Sequence, residues 1–157
     1  MLRGLELVGP SCHAGRVVPS AEEIARVPAE NISVARAEFG AVWTAAERMS
    51  DVHPRDWALA GVCITCRWVA LAVVKPPTGP WYLAFGPVSL TERRAYPELI
   101  EAESLAAAVQ AIRRPEWLMA ARPGWVDAVD ATFAWLWRGT ASPPVTVERT
   151  VDWPAAT

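Results

Sequence analysis

Apolar residues crowd the chain most densely between Trp57 and Val74, where Arg67 is the only charge and no polar face recurs at helical spacing. Trp57, Ile64, Trp68 and Leu71 fall on one stripe and Val62, Cys66, Val69 and Val73 on another, with Ala60, Cys63 and Val74 between them. A helix that is apolar all round is one its neighbours enclose. The pattern therefore predicts a central helix over 54–74, with Pro54 at the first position, where its missing N–H does no harm. Gly61 inside it points to close helix packing.

The flanking segments are one-sided. Ser20 followed by Glu23 is a capping-box signature for a short helix that ends before Pro28. Asn31 or Ser33 is expected to cap a longer helix over 34–50, with Ala35, Phe39, Val42, Ala46 and Met49 on its inner face. After the central helix, Lys75-Pro-Pro-Thr-Gly-Pro80 opens an aromatic loop over 75–95 that carries Trp81, Tyr82 and Phe85. Pro97 starts the next helix, for which Leu99, Ala102, Ala106, Val109 and Ile112 are the expected buried stripe, ending at Arg113-Arg114-Pro115. A short turn over 116–121 leads to a last helix from Pro123 to Arg138-Gly139, its inner face Trp125, Val129, Phe133, Leu136 and Trp137. The stretch 1–19 reads as irregular and 140–157 as a proline-containing tail. Val145, Val147 and Val151 alternate with polar residues there, so short strands are compatible with both tail and loop. The expected architecture is mainly all-α, a four-helix bundle-like domain spanning 1–157.

The short link near residue 52 makes the first two long helices antiparallel. A reversal there sets Arg67 level with Ala37 and Glu38. A buried arginine without a carboxylate is too costly to persist, so a Glu38–Arg67 ion pair is expected. The functional alternative is that Arg67 lines a pocket and holds an anionic ligand.

Composition narrows the classes. The chain has 157 residues, 52% of them hydrophobic and 20% charged, with a net charge of −2, which fits a folded domain with its own core. Its basic pairs, Arg93-Arg94 and Arg113-Arg114, make no clustered basic face, so nucleic acid is not the expected ligand. Arginine outnumbers lysine fourteen to one, a balance typical of a GC-rich bacterial genome. Trp57–Val74 is eighteen residues, at the short limit of the ~20 that cross a bilayer. Arg67 at bilayer depth would cost about 2.5–3.5 kcal/mol, so no membrane association is expected. The residues from Met1 to Gly9 lack a secretory apolar core, and three cysteines suit a reducing compartment, so a cytoplasmic location is expected.

Chemistry is sparse. Cys63 and Cys66 form a C-x-x-C pair that Cys12 and His13 could complete as a zinc site. Two buried thiols acting as small hydrophobes is the preferred reading, because the pair lies well inside an apolar helix rather than at its N-terminus. His13 and His53 each sit beside a turn. The carboxylate pairs Asp127 with Asp130 and Glu98 with Glu101 lack the Glu-x-x-His companions of a bundle metal site. No nucleophile elbow, zinc-protease, phosphate-loop or dinucleotide motif occurs, and no cofactor is expected.

The anomaly is nine tryptophans. Trp135 and Trp153 belong to no predicted inner stripe and Trp43 lies at the edge of one, and tryptophan is enriched where proteins meet partners. The expectation is a non-catalytic interaction or assembly subunit that binds a protein or a copy of itself through tryptophan-bearing surface. The alternatives are a small-molecule or peptide binder with an aromatic pocket near Arg67, Trp81, Tyr82 and Phe85, and a Cys/His-dependent enzyme or zinc protein.

Overall fold

The computed structural model describes residues 18–76 and 78–148. They are mainly α-helical. Helix α1 (Ala21–Ala25) begins with the expected capping box: Glu23 N donates to Ser20 Oγ (3.2 Å) and Ser20 N to Glu23 Oε2 (2.8 Å). A 3-10 turn over Ala29–Asn31 leads to α2 (Arg36–Val52). Neither Asn31 nor Ser33 caps α2, since both are committed elsewhere. Asn31 is buried and its Nδ2 donates to Val69 O (2.9 Å) and Ala95 O (3.4 Å). Ser33 gives its N–H and its hydroxyl to Leu136 O, at 2.7 and 2.9 Å.

Helix α3 (Trp57–Val69) is the enclosed one, lying against α2 on one side and α6 (Trp125–Leu136) on another. Every residue from Leu59 to Val69 except Ile64 is buried. It is shorter than the 54–74 expected. Asp56 caps it, its Oδ1 accepting from Ala58 N (2.9 Å) and Leu59 N (3.1 Å). At the far end Leu71 takes a left-handed φ of 57° while Leu71 N donates to Trp68 O (3.1 Å) and Ala72 N to Arg67 O (2.9 Å). This paired closure ends a helix whatever the apolarity beyond it. Val73–Val74 then forms β1, antiparallel to β2 (Tyr82–Leu83), with Val73 opposite Leu83 and Val74 opposite Tyr82. Among the described residues no strand forms in the tail, where Val145 is buried and Val147 exposed.

Gly61 marks close packing, as expected. A Cβ there would stand 3.1 Å from Trp125 O and 3.3 Å from Val129 Cγ2, both on α6. Gly124, at φ +84°, turns the chain into α6 against Ala58. Helix α4 (Pro97–Arg113) packs on α6 and is closed by Arg114 in the left-handed region, and α5 (Glu116–Ala121) follows. The loop before α4 is held from inside. Trp68 Nε1 donates to Arg93 O (3.0 Å), and the buried Glu103 carboxylate accepts from Val88 N (2.8 Å) and Ser89 N (3.2 Å). Among the described residues no helix is long and apolar enough to cross a membrane.

Gly61→Val should lower stability by about 1–3 kcal/mol in urea denaturation, because the added methyls meet α6 backbone that cannot yield. A variant as stable as the parent would show that α3 and α6 are not in this contact.

Candidate functional site

Arg67 lies where the sequence places it, inside the fold, but its partner is Glu47. Arg67 Nε donates to Glu47 Oε1 (2.7 Å) and Nη2 to Oε2 (2.6 Å), a two-point fork between buried side chains. Trp43, also buried, donates its indole N–H to the same Oε1 (2.9 Å). The expected Glu38–Arg67 pair does not form. Glu38 is exposed and accepts instead from Trp135 Nε1 (3.2 Å). An anionic ligand at Arg67 would have to displace Glu47.

Neither Cys63 nor Cys66 is in a disulfide, and both are fully buried. Burial raises the Cys66 pKa far above the ordinary thiol value, the Glu47 charge adds to the rise, and Arg67 opposes it. A thiol held protonated is neither nucleophile nor metal ligand. Among the described residues no cluster of His, Cys, Asp and Glu could hold a metal ion. Cys12 and His13 lie outside the described residues. His53 borders an open cleft of about 740 Å³ with Asp56 and Asp127. Both carboxylates already have partners, Asp56 at the α3 N-cap and Asp127 with Arg114 Nη1 at 2.9 Å.

The tryptophans divide differently from expectation. Trp43 and Trp135 are core residues, Trp135 stacked on Phe39 with ring centres 6.2 Å apart, so neither presents a surface. Trp153 lies outside the described residues. Trp81 is exposed, with Lys75 Nζ 5.3 Å from its ring centre, and Tyr82 stacks on the half-buried Phe85 at 5.3 Å. Trp81 and Tyr82 belong to the β1–β2 hairpin, and Phe85 follows β2 by two residues.

The largest departure is α4. Its buried residues are Ile100, Glu103, Ser104 and Ala107. Of the stripe expected inside, Ala102, Val109 and Ile112 are exposed, and Leu105 joins them. Leu105 is 56% exposed, Val109 44% and Ile112 82%, with Trp117 on α5 at 72% just beyond. The helix turns Leu105, Val109 and Ile112 outward and keeps Ile100 and the Glu103 carboxylate inward. Small residues on the inner side allow close approach to α6, and Glu103 is needed there as acceptor for the loop N–H groups. Contiguous exposed apolar surface of this kind marks an interaction site more often than scattered single residues do. The sequence signal was present: Ala102, Leu105, Val109 and Ile112 step by three, four and three, the spacing of a helix-pairing seam.

No protein-family model matches the chain, and neither does any curated protein or solved structure. What the chain can do is therefore read from its own surfaces.

Arg67→Met should lose about 3–5 kcal/mol of stability in chemical denaturation, since it strands Glu47 as an unpaired buried charge. The double variant Glu47→Leu with Arg67→Met should recover most of that loss. Equal losses in the single and double variants would exclude the pair as the cause. In the native protein Cys63 and Cys66 should resist alkylation at pH 8, and unfolding should release them, as read by peptide mass mapping. The raised thiol pKa also sets a sign. Below about pH 8 both states keep the Cys66 proton; above it the unfolded thiol ionises and the folded one does not, so stability falls as pH rises. Cys66→Ala should flatten the fall in urea midpoint between pH 7.5 and 9.5.

Proposed function

We propose that this chain works by binding protein, as an interaction or assembly subunit, and that the outward face of α4 is its contact surface. One observation carries the reading: Ala102, Leu105, Val109 and Ile112 form a continuous apolar strip on the solvent side of a helix whose inner side holds Glu103 and Ser104. Isolated exposed leucines are ordinary on a protein surface. A strip running most of the length of a 17-residue helix is not. Covering it removes apolar surface from water, the main favourable term in association. The buried and protonated Cys66 and the Arg67 already paired with Glu47 leave the thiol and ligand-pocket alternatives without a free reactive group at those positions.

The reading is tested by placing a photoreactive phenylalanine analogue at Val109 in the native host. A discrete protein adduct is expected on irradiation, with none when the same analogue replaces the exposed Glu92 on the loop. Identical patterns at the two positions would overturn it.

A further inference from the structure

We infer that the occupant of the α4 face is a second copy of this chain, paired helix to helix in antiparallel orientation; the inference rests on the reading above. The seam is self-complementary under one two-fold axis level with Ala107. That axis sets Ala102 against Ile112 of the second copy, and Leu105 against its Val109, so the smallest residue of the seam meets the most exposed aliphatic one at both ends. A two-fold contact uses the same patch on both molecules, and this patch satisfies that condition without a second surface.

Charge selects the orientation. Glu98 and Glu101 lie in the first turns of α4 and Arg113 in its last. Antiparallel pairing brings the acidic end of each helix beside the basic end of the other: the same axis sets Arg113 level with Glu101 of the second copy and within one helical turn of its Glu98. Parallel pairing would stack acid on acid and base on base. The helix dipoles favour the same choice. Two helices of this length, about 25 Å at ~1.5 Å per residue, bury less than the ~800 Å² per partner of a standard interface. The dimer is accordingly placed among the weak, concentration-dependent ones.

Sedimentation equilibrium on the full chain, from about 1 to 500 μM, reads this directly. The parent should pass from 17.1 kDa monomer to twice that mass. Leu105→Glu and Ile112→Glu should each remain monomeric with unchanged circular dichroism, because both side chains face solvent in the monomer. Arg113→Glu should weaken the dimer about tenfold, and adding Glu98→Arg should restore it. A parent that stays monomeric throughout overturns the inference, as does a dimer indifferent to Leu105→Glu and Ile112→Glu. Failure of Glu98→Arg to rescue Arg113→Glu overturns the antiparallel pairing. A Val109 adduct with a different protein, alongside a monomeric parent, removes self-association and leaves the broader reading standing; no adduct removes both.

Discussion

An arginine cannot shed its charge inside a protein, so burying Arg67 in the most apolar helix of the chain obliges a neighbour to supply a carboxylate. Glu47 on α2 supplies it, and the manner matters as much as the charge. Two nitrogens of one guanidinium donate to the two oxygens of one carboxylate, which admits one rotation and one sliding position of α2 against α3. Apolar contacts alone would tolerate neighbouring registers. Trp43 takes the remaining capacity of Oε1 and leaves the carboxylate well satisfied. With α2 placed, the other side of α3 is free for α6, which the absent side chain at Gly61 lets come close.

The indole N–H groups extend the same logic outward. Trp68 on α3 fastens the loop through Arg93 O, Trp135 on α6 reaches Glu38 on α2, and Trp137 Nε1 donates to Glu101 on α4 at 2.5 Å. Each of these tryptophans contributes a large apolar body and one directed bond that ties two elements together. That accounts for much of the unusual tryptophan content without recourse to surface. It also explains why Trp43 and Trp135 serve the interior, while Trp81 and Trp117 remain exposed together with the aliphatic residues of α4.

Much of the helical layout was legible, for reasons tied to particular residues. The Ser20/Glu23 box is a local device and needs no tertiary context. The all-round apolarity of α3 can be satisfied only by enclosure, and Gly61 inside a helix has few other uses. The helix ends were harder, because the left-handed closure at Leu71 uses a residue with no preference for that conformation. The arginine's partner was misread by position and by face. Glu38 and Glu47 are nine residues apart, two and a half helical turns, and so lie on opposite sides of α2. A guess at the register of the hairpin cannot detect that rotation. On α4 the failure was of another kind. Periodicity ranks faces by apolarity, whereas the contact with α6 selected small side chains and the loop selected Glu103 as its acceptor.

That inversion is the strongest guide to function. Rotating α4 by half a turn would bury Leu105, Val109 and Ile112, but it would strand the N–H groups of Val88 and Ser89 and drive long side chains into the narrow gap against α6. Those two N–H groups would lose a carboxylate acceptor, and the fully buried Ile100 would turn out to solvent, giving back roughly the 1.5–3 kcal/mol gained by burying one aliphatic side chain. The intramolecular balance therefore does not compel the apolar face inward, and leaves it available to something outside. The proposed second copy draws on the same face, with Glu98 and Glu101 near one end of the strip and Arg113 at the other.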